Sequence, residues 1–237
     1  MGVFLHTVLE TLDFPQAEGA GLDDALRSLL LRYQPLALQT EEEEADTLGR
    51  LRTLIARTLD TPMDEDPTLC LRALTRGDRL DEMEFHFPVE PLSPAAFGRV
   101  LQEYPGYADA GEGLSFANTR GLLRGFIDLV FRHQGRYYIV DYKSNLLGTQ
   151  LADYGPEGLA LAVREHRYNL QYLLYTLALH RFLRQRVADY DYERHFGGVR
   201  YLFLRGMRPE EGARYGIWSD RPPLVPGTLL AVRGNAR

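Results

Sequence analysis

The chain has 237 residues, 45% of them hydrophobic and 25% charged, a balance typical of a globular chain long enough to bury a sizeable core. No apolar run reaches the ~20 residues of a membrane span, and the single cysteine, Cys70, excludes a disulfide framework and any four-cysteine zinc or iron–sulfur site. The net charge of −6 argues weakly against a nucleic-acid partner, but the charge is unevenly spread. Residues 39–66 hold nine acids against three arginines, whereas residues 120–208 hold fourteen Arg/Lys against eight Asp/Glu.

The opening MGVFLHTVLE lacks the basic and long apolar regions of a signal peptide, and His6 stands where a myristoylation signal has Ser or Thr. A cytoplasmic protein with no membrane partner is expected. Residues 3–12 have helical spacing at Val3, Phe4, Val8 and Leu12, with His6 and Glu10 on another face. On these residues alone His6 reads as a packing or surface side chain. After a break at 15–21, residues 22–33 and 41–61 predict two amphipathic helices, the second opening on Glu41–Glu44, which suits a helix N-terminus. A further break spans 62–67, and a short helix is predicted over 68–75.

From residue 80 the period changes to two. Met83, Phe85 and Phe87 alternate with Glu84 and His86, which predicts a strand ended by Pro88 with Glu82 and Glu84 facing away from the aromatic set. A helix is predicted over 93–104, with Ser93 as N-cap and Pro94 at its first position, followed by an acidic loop over 105–113.

Residues 124–145, RGFIDLVFRHQGRYYIVDYKSN, predict a β-hairpin: one strand over 125–132, a second over 136–143, and Gly135 in the turn. Asp128 lies on the first strand and Asp141 on the second. Lys143 follows Asp141 by two residues and so shares its face. Charges within an apolar strand are costly unless paired or bound to metal. One reading is a buried structural ion pair. The other is phosphodiester hydrolysis, in which two carboxylates hold Mg²⁺ and a lysine stabilises charge or positions water.

A long helix, broken near Tyr168, is predicted to reach about Arg186, with Gln171 and Tyr175 i,i+4 on one edge of its apolar stripe. Arg181, Arg184 and Arg186 at its end suit either phosphates or the helix C-terminus. A polar turn over 189–195, an apolar strand over 197–205 and a short strand over 215–219 complete the pattern. No Gly-x-x-x-x-Gly-Lys-Ser/Thr phosphate loop occurs, so no helicase motor is expected in these residues.

The stretch GFIDLVFRHQGRYYIVDYKSN resembles the RecB-type nuclease domains of the RecBCD helicase-nucleases (exodeoxyribonuclease V), within the PD-(D/E)xK superfamily. GVFLHTVLE, EMEFHFP, YNLQYLLYTLALHRFLRQR and GGVRYLFLR are also similar to that family; residues 20–75 are only thinly so. The resemblance implies an α/β fold: a restriction-endonuclease-like core with a mixed central sheet flanked by helices and a helical N-terminal section. It also implies one nuclease domain over 1–237, divided into a helical section (1–78), a core (79–220) and a tail (221–237). By the same resemblance His6, Asp128, Asp141 and the backbone carbonyl of Tyr142 hold Mg²⁺. Lys143 acts at the phosphate, Gln171 and Tyr175 support the site or the strand, and Glu84 is the upstream acid. The implied partners are DNA single strands and duplex ends, RecC- and RecD-like subunits, the helicase part of the same polypeptide, and RecA. The chain then reads as the nuclease domain of a larger subunit, a reading that Met1 just ahead of the first motif favours, or as a free-standing RecB-like exonuclease. A module that docks RecA or partner subunits, with cleavage secondary, is the rival of a different class.

Overall fold

The computed structural model describes residues 2–33, 40–92, 107 and 119–224. The helix expected over 93–104, most of the loop over 105–113, and the tail beyond 224 lie outside the described residues.

The helical N-terminal section consists of α1 (Gly2–Thr11), α2 (Gly19–Tyr33) and α3 (Glu41–Asp60), with 3₁₀ turns at Phe14–Gln16 and Leu71–Ala73. The α3 N-terminus is closed by a capping box. The Glu43 N–H donates to Thr40 Oγ1 at 3.1 Å, and the Thr40 N–H donates to Glu43 Oε2 at 3.2 Å. These bonds satisfy two backbone donors while the four glutamates oppose the positive end of the helix. The helix expected over 68–75 shrinks to Leu71–Ala73. Thr68 and Cys70 are used instead in turns, where the Thr68 N–H donates to Asp66 Oδ1 at 2.9 Å.

A five-stranded mixed sheet follows, built from β1 (Arg79–Leu92), β2 (Thr119–His133), β3 (Arg136–Lys143), β4 (Phe196–Phe203) and β5 (Ile217–Asp220) in that spatial order. Only β3 and β4 run parallel. The crossover between them carries α4 (Pro156–Glu165) and α5 (Tyr168–Arg186), and a one-turn helix, α6 (Tyr192–His195), leads into β4. The β2–β3 turn is two residues, Gln134 and Gly135, both at positive φ (46° and 78°), the geometry that matches hairpin twist. Arg167 at φ 54° separates α4 from α5. The expectation that Pro88 ends the first strand does not hold: β1 continues through Pro88, opposite Leu122, to Leu92. β1 is an edge strand, where the missing proline N–H removes no ladder bond if it faces outward.

The sheet separates two cores. On one side Phe4, Leu5, Val8 and Leu9 of α1, with Leu26 and Ile55 of the next helices, pack on Leu129, Val140, Tyr142 and Leu202. On the other, Tyr172, Leu173 and Leu179 of α5 pack on Ile127, Ile139, Val199 and Tyr201. Central strands covered on both faces explain why β3 and β4 are buried along most of their length.

Gly216 ties the end of β4 to the start of β5, and its carbonyl accepts the Phe203 N–H at 2.7 Å. It sits at φ 73°, and a Cβ there would lie 2.6 Å from Met207 N and 2.7 Å from Gly206 C, both backbone atoms. Gly216→Ala is expected to destabilise the fold by about 2–3 kcal/mol, because strain and overlap add with no side chain free to yield. Urea unfolding of the variant measures this; a midpoint equal to wild type would show that the turn relaxes.

Candidate active site

The β2–β3 ladder stops at Leu129 opposite Val140, just before the two chain segments that carry the aspartates. Beyond that pair a side chain replaces the ladder: Asp128 Oδ2 accepts the Tyr142 N–H at 2.8 Å. The same turn of structure receives α1. His6 Nε2 lies 2.8 Å from the Tyr142 carbonyl oxygen, which can only accept, so Nε2 is the donor; His6 Nδ1 lies 3.4 Å from Asp128 Oδ2. The apolar stripe of α1 fixes this approach, because Phe4, Leu5, Val8 and Leu9 are buried while His6 projects from another side. The hydrogen bond to Asp128 raises the His6 imidazole above its usual range; burial opposes this, and the Asp128 and Asp141 charges add to it.

β1 contributes Glu82. Its pairing with β2 passes from Asp81–Leu129 to Met83–Ile127, and Glu82 between them has φ 49°, a left-handed kink rare for a glutamate. Donor atoms of His6, Glu82 and Asp128 all come within 4.8 Å of one another. Burial, then the Asp128 charge, raises the Glu82 carboxyl above its ordinary value.

Asp141 stands outside that tight group and is 3% exposed, opposite Tyr201 in the parallel β3–β4 register. Lys143 Nζ is 2.6 Å from Asp141 Oδ2, an ion-pair contact without hydrogen-bond alignment, so this buried oxygen accepts no hydrogen bond. Burial and the nearby Asp128 charge hold the Asp141 carboxyl well above the usual carboxylate range, with the Lys143 ammonium opposing. Lys143 also donates to Gln171 Oε1 at 3.1 Å and lies over the rings of Tyr168, at 3.9 Å, and Tyr201, at 4.9 Å. Gln171 Nε2 donates to Tyr175 OH at 2.8 Å, and Tyr201 OH donates to Gln171 Oε1 at 3.0 Å.

Thus His6, Asp128, Asp141, Tyr142, Lys143, Gln171 and Tyr175, expected together from the sequence, are linked through contacts at one end of the hairpin. Glu84 is not brought there. It is exposed and paired with Arg124 and His86, and the β1 acid beside His6 and Asp128 is Glu82. The kink at Glu82 breaks the period-two equivalence of the two glutamates. Arg181, Arg184 and Arg186 lie farther along α5, about 9–17 Å beyond Tyr175 by helical rise. Sequence reasoning missed Glu82, Tyr168 and Tyr201. Glu82 had an acidic side chain on the right strand as its only signal, and the tyrosines carried none.

The donor set of one imidazole, carboxylate oxygens and a backbone carbonyl suits a hard divalent cation, and the buried Asp141 oxygen without a hydrogen bond fits such an ion. The profile of the PD-(D/E)XK nuclease superfamily matches residues 1–217. The chain is 43% identical to the RecBCD enzyme subunit RecB of Escherichia coli (strain K12) over 222 residues, 93% of this chain and 18% of that relative. The corresponding subunit of Haemophilus influenzae is 40% identical, covering 94% of this chain and 17% of the relative. That of Mycobacterium tuberculosis (strain ATCC 25618 / H37Rv) is 39% identical, covering 98% of this chain and 23% of the relative. The chain therefore spans less than a quarter of the length of these curated relatives. With a matching profile over most of its length and the aspartate–lysine hairpin at the centre of its sheet, the chain belongs to the PD-(D/E)XK nuclease superfamily.

Proposed function

We propose that this chain is the nuclease domain of a RecBCD-type helicase-nuclease, a Mg²⁺-dependent deoxyribonuclease of the exodeoxyribonuclease V type. In this reading it degrades DNA ends during double-strand break repair and recombination in the cytoplasm. Its partners are the helicase part of the same polypeptide, RecC- and RecD-like subunits, and RecA. The observation that carries the reading is the meeting of His6, Asp128, Asp141 and Lys143 at one hairpin end.

His6, Asp128, Asp141 and the Tyr142 carbonyl would hold the divalent ion, with Glu82 at the margin of the group. When bound, the ion supplies Lewis acidity at the phosphate and makes water more acidic. Lys143 contributes fixed positive charge. Of its N–H groups Gln171 engages one, and with the ammonium held beside Asp141 by charge, the remainder can serve a phosphate oxygen or the attacking water. Gln171, held in turn by Tyr175 and Tyr201, keeps the ammonium from swinging away.

End-labelled linear single- and double-stranded DNA incubated with the chain in Mg²⁺, Ca²⁺ or EDTA tests the reading. Degradation is expected with Mg²⁺ and not with EDTA. Intact DNA in Mg²⁺ alongside retained RecA binding would favour the docking role.

A further inference from the structure

Outside the hairpin site, a cluster of arginines faces a cavity between the middle of α3 and the turn that leaves β4. A groove of about 700 Å³ is lined there by Arg50 and Arg57 of α3 and by Arg205 and Arg208 of the turn, with Leu51 and Leu54 among its apolar lining. Arg50 is committed to Asp46 at 2.8 Å, and Asp46 also lines the groove. Arg57, Arg205 and Arg208 have no carboxylate partner among the described residues. Arg205 Nε donates to the Ser144 carbonyl at 3.1 Å, and Arg208 Nη1 donates to the Met207 carbonyl at 2.7 Å, so both guanidiniums are held by backbone rather than by counter-charge. Burial lowers the Arg208 pKa and the neighbouring Arg57 charge lowers it further, while Glu210 acts in the opposite sense.

Like charges held together with only partial neutralisation cost free energy in the free protein, and an anion placed among them offsets that cost. The groove and the catalytic residues share two chain segments. Ser144, which Arg205 grips, directly follows Lys143, and Leu5 of the groove wall directly precedes His6. Charges spread along an apolar lining suit a polymer with regularly placed phosphates and apolar sugar and base faces better than a small anion.

We propose that this groove is a second nucleic-acid site, which takes the sugar-phosphate backbone of single-stranded DNA where the strand passes the catalytic centre. The proposal rests on the nuclease reading and extends it to a surface that performs no chemistry. Arg57 and Arg208 contact phosphates, and Arg205 joins the groove to the segment after Lys143.

The test is fluorescence anisotropy of a labelled oligothymidylate with the full chain in EDTA, across a salt series. Arg57→Gln/Arg208→Gln is compared with the charge-keeping Arg57→Lys/Arg208→Lys, and circular-dichroism melts establish that both fold. Each phosphate contact on a single strand contributes about 0.7 to the slope of log K against log salt, so the Gln variant is expected to lose about 1.4 from it and to bind about tenfold more weakly at low salt. The Lys variant is expected to keep most of the slope. A folded Gln variant with the wild-type slope overturns the groove, as does a Lys variant that loses as much as the Gln variant. DNA cleavage in Mg²⁺ measured beside it separates the two readings. Cleavage with an unchanged slope overturns the groove alone; a reduced slope in a chain that does not cleave supports the groove and overturns the nuclease.

Discussion

Asp141→Asn is expected to abolish Mg²⁺-dependent cleavage, by on the order of 10³-fold or more, while making the metal-free fold more stable at pH 8. The two effects have one cause. Asp141 is nearly enclosed, and its charge is opposed by burial and by Asp128 more strongly than Lys143 favours it. The folded-state pKa therefore lies above the ordinary 3.8. A carboxyl shifted this way leaves stability intact below about that ordinary value and takes it away as pH rises through the raised folded value. Asparagine has no charge to bury, so its advantage grows over the same window. In EDTA the variant's melting temperature should exceed wild type at pH 8 by roughly 2–4 °C for each kcal/mol relieved, and the gap should close toward pH 4. Differential scanning calorimetry at both pH values, next to the cleavage assay, measures both effects. A variant that melts lower than wild type at pH 8 would mean that the Asp141 charge serves the fold through Lys143, as a structural ion pair.

Lys143→Met is expected to lower the single-turnover cleavage rate by about 10²–10³-fold with little change in DNA affinity. Methionine preserves much of the apolar stem while removing the cation that lies 2.6 Å from Asp141 Oδ2 and over the Tyr168 and Tyr201 rings. Divalent-ion affinity should be equal or higher, because a positive charge next to the ligand group has gone. Lys143→Arg should not rescue the rate. The ammonium sits between two rings and Gln171 Oε1 at 3.1 Å, and a planar guanidinium cannot occupy that space with the same donor direction. Isothermal titration with Ca²⁺ separates chemistry from binding. Loss of ion binding together with cleavage would make Lys143 a support for the metal ligands rather than a group acting on the phosphate.

Much of the fold and part of this site can be read from local patterns in the chain. Alternation and the Gln134–Gly135 turn specify the β2–β3 hairpin, because period-two geometry and a two-residue turn are properties of neighbouring residues. The same geometry puts Asp141 and Lys143 on one face, and helical spacing puts Gln171 within 2.8 Å of Tyr175 OH. The meeting of His6 with the Tyr142 carbonyl spans 136 positions, and resemblance to a family, rather than spacing, supplied it.

Tertiary structure decided the rest. Glu82 and Glu84 are equivalent to any two-residue periodicity, and only a left-handed kink opposite Asp128 turns the first toward His6 and leaves the second paired with Arg124. Tyr201 reaches Gln171 because β4 lies parallel to β3 with Tyr201 opposite Asp141, a register set by packing on both faces of the sheet. Pro88 stays within a strand because β1 is at the sheet edge. The hairpin and its charges follow from the sequence because their geometry closes within a few residues. The second carboxylate beside His6 and the rings around Lys143 come from distant strands, whose register depends on the whole core.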